Sequence, residues 1–185
     1  MKKTLLAALF ASTLALPVVA AEYVIDHKGA HASVNFKVKH LGYSWLTGRF
    51  NTFSGDFSYD EKNISASKIN IVIETASVDS NHAERDKHLK SDDFLDVKKF
   101  DNATFTSTKV EDLGNNKLKI TGDFTLQGIT KSLVIDAYKV GEGDDPWGGY
   151  RAGFSGTAKI SMKDFGYKMN FGDILFDLHI EGVRK

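Results

Sequence analysis

Between Ala32 and Lys39 apolar and polar residues alternate without a break, with Ala32, Val34, Phe36 and Val38 on one parity and Ser33, Asn35, Lys37 and Lys39 on the other. Successive side chains of a β-strand point to opposite faces, so this pattern builds a strand with one buried face and one wet face. The same period returns down the chain. Phe53, Gly55, Phe57 and Tyr59 share a parity, as do Ile69, Ile71 and Ile73. A Thr-rich stretch over 103–110 carries Phe105 on one face, and Leu118, Ile120, Gly122, Phe124 and Leu126 line up in the next run. The turn Gly128-Ile129-Thr130-Lys131 leads into 132–140. Ala152, Phe154, Ala158, Ile160 and Met162 alternate after a Gly-rich loop, and Ile174, Phe176, Leu178 and Ile180 end the series. Eight strands joined by turns as short as Gly114-Asn115-Asn116 predict antiparallel up-and-down order. Strands with one apolar face each close into a barrel or pack as a sandwich.

One segment departs from the pattern. Asn81 with Glu84 three positions on is a capping-box signal, and 85–90 holds no β-branched residue. Ser91-Asp92-Asp93 offers a second cap ahead of Phe94 and Leu95. The spacing predicts one or two short helices over 81–96, set across an end of the barrel or along its side.

The N-terminus reads as an export leader. Lys2 and Lys3 precede an almost wholly apolar stretch from Thr4 to Val19, and Val18-x-Ala20 suits cleavage after Ala20. The apolar run falls short of the roughly 20 residues a spanning helix needs. Residues 1–20 are therefore expected to leave a single domain over 21–185 in an extracytoplasmic compartment. The leader takes two of 24 basic residues and none of 24 acidic ones, so the remainder carries 22 − 24 = −2. That balance gives no electrostatic reason to expect nucleic acid. Later apolar runs are as short as Ile71-Val72-Ile73, so no stable membrane insertion is expected.

A search for catalytic chemistry finds little. The absence of Cys removes thiol nucleophiles, thiolate metal sites and disulfides. Ser155 in Gly153-Phe154-Ser155-Gly156 is not a nucleophile elbow. Gly141-Glu142-Gly143 lacks the strand–helix context of a dinucleotide loop. The most titratable stretch is His82-Ala83-Glu84-Arg85-Asp86-Lys87-His88. On a helix His82 and Asp86 share a face, whereas His88 points elsewhere, so a metal set would need a further convergent ligand. The plain reading is that Arg85 and Asp86 fix the helix to strand ends. Another is that His82, Arg85 or His88 meets a ligand's polar head at the barrel mouth.

Several of these segments occur in a fixed order: His40-Leu41-Gly42-Tyr43-Ser44-Trp45, Asn81 to Leu89, Phe94-Leu95-Asp96-Val97, Thr104-Phe105, Gly128-Ile129-Thr130-Lys131 and Lys163-Asp164-Phe165-Gly166. Together they resemble the YceI-like family of exported bacterial proteins over essentially all of 21–185. The chain departs from the common pattern at Ser161-Met162, where many members have Asn-Arg, and at Asp101 and Ser132, where they have Pro. The resemblance implies an all-β fold, an eight-stranded antiparallel lipocalin-like barrel in the periplasm. It implies a non-enzymatic partner role toward a long-chain isoprenoid or similar amphiphile, with no cofactor or metal beyond that bound lipid. A barrel of eight strands is just wide enough to be filled by side chains or to hold one ligand. If hollow, its lining is expected from Phe36, Val38, Phe53, Phe57, Ile71, Ile73, Phe105, Leu126, Phe154 and Phe176. Leu41, Tyr43, Trp45, Phe94 and Phe100 are expected at its ends. Two alternatives stay open: a hydrolase or metal-dependent enzyme using His82, Asp86 and His88, and a filled barrel or sandwich that binds a protein partner. An apolar rim is also compatible with a homodimer.

Overall fold

The computed structural model describes residues 20–167 and 169–185. The expected leader, 1–20, lies outside the described residues except for Ala20. The strands are β1 (Ala21–Ile25), β2 (Ser33–His40), β3 (Ser44–Phe50), β4 (Phe53–Tyr59), β5 (Lys68–Glu74) and β6 (Val78–Asp79), then β7 (Asn102–Asp112), β8 (Lys117–Leu126), β9 (Ile129–Asp144), β10 (Tyr150–Ser161) and β11 (Asp173–Arg184). Helix α1 (Ala83–Leu89) stands between β6 and β7. Every pairing is antiparallel, and three of the eight barrel positions are broken strands. β1 and β2 follow one another along β11, with Val24 opposite Val183 and Val34 opposite Leu178. β4 and β3 likewise line up against β5 and β6. The β1–β11 pairing closes the ring, giving an eight-stranded antiparallel barrel. Among the described residues no helix is long and apolar enough to cross a membrane.

The alternating residues point where the pattern sends them. Phe53, Phe57 and Tyr59, Ile71 and Ile73, and Leu118, Phe124 and Leu126 are all buried. In β7 the register slips between Ser107 and Lys109. The extra residue of a bulge changes parity, so Ala103, Phe105 and Ser107 face inward before it and Val110 after it. β1 and β3 were not evident from alternation. In β3 the inward parity is Ser44, Leu46, Gly48 and Phe50, too mixed to read as apolar. Gly48 leaves room there for the Phe36 ring on the neighbouring strand, which a Cβ would push aside.

Of the one or two helices expected, one forms, and its cap sits one residue later than Asn81. His82 Nδ1 accepts the Arg85 backbone N–H at 3.2 Å. Asn81 is left-handed at φ 60°, with its own N–H bonded to Asp79 Oδ1 at 2.8 Å. The stretch after α1 is a run of turns, held by Leu95 N–H on the Leu89 carbonyl (3.0 Å) and Asp96 N–H on that of Ser91 (2.8 Å). Thr75, fully buried, ties its far end to the barrel by donating to the Phe100 and Asp101 carbonyls at 2.7 and 2.9 Å. The segment therefore lies over the end where β5 stops and β7 starts, here termed the upper end.

The lower end is packed solid. Tyr23 stacks on Phe57 with centroids 4.8 Å apart, and Phe154 meets Phe57 and Tyr59 edge-on at 5.5 and 5.2 Å. Arg184 closes the plug from outside, its guanidinium 3.8 Å above the Tyr150 ring and bonded to the Tyr23 hydroxyl at 2.9 Å.

A charged network pins the seam where β1 gives way to β2. Arg151 Nη1 donates to Asp26 (2.6 Å) and Glu181 (2.7 Å), and its Nε donates to Asp145 (2.8 Å). The Arg151 guanidinium, His31 and the Gly29 N–H hold the Asp26 carboxyl well below the usual carboxylate range. A carboxyl depressed in the folded state stabilises the fold above its ordinary value near 4, and that contribution drains away as the pH falls below it. Thermal melts of Asp26→Asn are expected to lie below wild type at neutral pH and to converge with it in acid. Parallel curves down to the lowest pH would contradict this.

Candidate functional site

Above the plug the barrel is hollow. A cavity of about 690 Å³ occupies its upper half, within the range of small-molecule sites. Phe36, Phe124 and Phe176 stand deepest along β2, β8 and β11, and the last two meet edge-to-face at 6.1 Å. Ile73, Ala103, Leu126, Ile160 and Ile174 continue the wall upward, and Leu89, Phe94 and Leu95 from the α1 segment roof it. Met162, Tyr167, Met169 and Phe171, from the β10–β11 connection, complete one side. Burial pushes the Tyr167 phenol up to about 12, so it stays a neutral hydrogen-bond donor at physiological pH.

The charged and ionisable side chains of the lining, Lys39, His40, Arg85 and His88, stand near the top with Ser44, Ser80 and Asn81, while Thr47 and the Tyr167 phenol are polar groups further along the wall. Arg85 and Asp86 do fix the helix. Arg85 Nε donates to Ser80 Oγ at 2.8 Å and its Nη2 to the Ser80 carbonyl at 2.6 Å. Asp86 Oδ1 accepts both the Ser80 N–H (2.8 Å) and hydroxyl (2.5 Å). Among the described residues no carboxylate lies within 4.0 Å of the Arg85 guanidinium, which leaves an uncompensated cation at the cavity rim. His88 is engaged with Asp93 at 3.1 Å and rests edge-on against Phe94.

Of the residues expected to line the hollow, Phe36, Val38, Ile73, Phe94, Leu126 and Phe176 do so, with Trp45 at the rim. Ile71, Phe105 and Phe154 instead fill the core below Ile73, Ala103 and Ile160 of their own strands, while Phe53 and Phe57 sit on β4, which gives the cavity no residue, Phe53 level with Ile73 and Phe57 near the bottom. Phe100 packs under the β8–β9 turn at Gly128. Leu41 and Tyr43 stand exposed on the β2–β3 turn. His82 caps α1 outside the cavity, while Arg85 and His88 reach it. The catalytic set of His82, Asp86 and His88 does not converge, since the three bond to Arg85, Ser80 and Asp93 in turn. Phe50, Phe124, Ile160 and Ile174 were missed as lining, although three of them carried the inward parity; their closeness to the upper turns was the usable signal.

Two other features compete for attention. A larger hollow of about 1180 Å³ is an open groove on the outer face of β2, β3 and β9–β11, edged by Asn35, Lys37, Asp136 and Asp177. Its lining mixes such charged and polar residues with Val134 and Leu175, and it lies open to solvent. Asp26, His31 and Glu181 are the one set of three metal-type donors converging within 4.8 Å among the described residues. Arg151 already occupies the centre of that cluster as its cation.

The YceI-like domain model matches residues 23–182. The chain belongs to the YceI-like family. A UPF0312 protein of Shewanella sp. strain ANA-3 is 61% identical over 191 aligned residues, covering 100% of both chains. The crystal structure of a Campylobacter jejuni YceI protein superposes with a TM-score of 0.72 at 34% identity, over 80% of this chain and 91% of that one. A polyisoprenoid-binding domain from Saccharophagus degradans shares the fold, with a TM-score of 0.66 at 13% identity over 90% of this chain and 100% of that domain. The YceI-like barrel is thus common ground among sequences that have diverged widely.

Proposed function

We propose that this protein encloses a long isoprenoid lipid, of the polyprenyl or isoprenoid-quinone type, and works as a periplasmic carrier without catalysing a reaction. One observation carries the reading: the cavity is walled mainly by apolar side chains, and its charged groups, Lys39, Arg85 and His88, stand at its upper end. A tail gains on the order of 4 kcal/mol gross per buried five-carbon unit, at about 0.8 kcal/mol per carbon. Tail burial therefore supplies the affinity, and the rim sets which end of the lipid stays outside. Family membership supports the reading, as does the shared fold of the polyisoprenoid-binding domain. Export through the 1–20 leader would place the protein in the periplasm.

Organic extraction of the purified protein followed by mass spectrometry tests it. A stoichiometric isoprenoid is expected; an empty extract with no uptake of added polyprenol would defeat it. Arg85 is the rim cation placed to meet a polar head. Arg85→Gln is expected to weaken binding of an anionic prenyl phosphate roughly tenfold while leaving the neutral polyprenol almost unchanged. Equal effects on both ligands would remove Arg85 from that role.

A further inference from the structure

The cavity opens beside a surface that resembles a membrane anchor. Leu41 and Tyr43 on the β2–β3 turn are 65% and 87% exposed, Trp45 is 50% exposed, and Phe171, just ahead of the β11 strand that pairs with β2, is 42% exposed. Leu41 is also held left-handed at φ 50°, a conformation disfavoured for a side chain of its shape. Leu41 and Gly42, both at positive φ, are the two central residues of the turn that closes the hairpin, so the turn itself sets Leu41 at the exposed tip. The outer face of the same hairpin is cationic. Lys39 pairs across from Trp45, and Lys37 Nζ lies 5.2 Å above the Trp45 ring. No acidic residue occurs between positions 27 and 55, and among the described residues neither lysine has a carboxylate within 4.0 Å.

We propose that the β2–β3 hairpin docks the barrel, mouth first, onto a bilayer surface carrying anionic phospholipid. Tyr and Trp settle at the level of lipid headgroups, apolar tips reach just below it, and lysines pair with headgroup phosphates. The surface sets the open end of the cavity against the bilayer, so a tail passes between membrane and barrel without crossing water. The purpose of the docking rests on the reading of the cavity as a lipid site; the docking itself does not.

The test uses the whole protein with Trp147→Phe, which leaves Trp45 as its one tryptophan, and vesicles of phosphatidylcholine with or without phosphatidylglycerol. Anionic vesicles are expected to bind it in flotation and to shift Trp45 emission to the blue. Lys37→Gln/Lys39→Gln should weaken that binding about 30-fold, from roughly a decade and a half of lost surface attraction. Leu41→Ser/Tyr43→Ser, at exposed positions, should weaken it at least tenfold with circular dichroism unchanged. No binding by the parent, or undiminished binding by both double variants, would overturn the proposal. So would a dimer dispersed by Leu41→Ser/Tyr43→Ser without vesicle binding, which would assign the face to a second copy of the chain. Uptake of polyprenol from detergent micelles separates the two readings. If it fails while vesicles still bind, the cargo reading falls and docking stands.

Discussion

Ala103→Trp is expected to yield a folded protein that purifies without the proposed lipid. Ala103 is buried on β7, paired with Ile73 on β5, and both residues line the cavity. Ala103 borders the cavity but is itself almost fully covered, so an indole reaches the hollow only by displacing neighbouring core side chains, and part of the overpacking cost remains. There the indole displaces at least one isoprene unit of a bound tail. Losing burial of five carbons, at about 0.8 kcal/mol each, corresponds to roughly 100- to 1000-fold in affinity. Extracted lipid should fall below detection, and added polyprenol should no longer raise the melting temperature as a ligand of the native state does. The delipidated variant should still melt cooperatively and within several degrees of delipidated wild type, since filling the void offsets part of the overpacking around Ala103. Retention of a stoichiometric lipid by Ala103→Trp would mean that the cavity is not where the lipid sits.

Alternation made the barrel legible, but not how far up each strand a residue stands. Phe36 and Phe57 look alike in sequence, each an aromatic on the inward parity of its strand. Their roles part because Phe36 lies opposite Gly48 in the upper half, whereas Phe57 lies opposite Tyr23 at the bottom. That difference is a matter of register between strands far apart in sequence, which no local pattern encodes. The broken strands were hidden for a related reason. β3 trades apolar inward residues for Ser44 and Gly48, the second of them to make room for the Phe36 ring. The α1 segment was legible as helix from its lack of β-branched residues, although the capping-box signal at Asn81 placed the cap one residue ahead of His82. Its attachment through Ser80 was not, since it depends on where β6 ends.

Phe57→Ala should have the opposite signature to Ala103→Trp. The Phe57 ring stacks on Tyr23, meets Phe154 edge-on, and lies over Gly182, where a Cβ would approach its Cε1 to 2.5 Å. Neighbours on three sides and a glycine beneath leave little room for collapse, so truncation keeps most of its void. Such a change costs about 3–5 kcal/mol, a large share of the 5–15 kcal/mol typical of a domain. The melting temperature of the lipid-free protein is expected to fall by roughly 6–20 °C, with the urea midpoint lowered and the slope unchanged. Lipid binding measured well below that melting temperature should stay within a few-fold of wild type, because Ile71, Phe105 and Leu178 remain between this plug and the cavity floor. The paired outcome is the informative one. A barrel whose lower half holds the fold together and whose upper half holds the guest loses stability from one substitution and its ligand from the other. If Phe57→Ala strips the lipid as thoroughly as Ala103→Trp does, the two halves form one continuous site and the division drawn at Phe36, Phe124 and Phe176 is wrong.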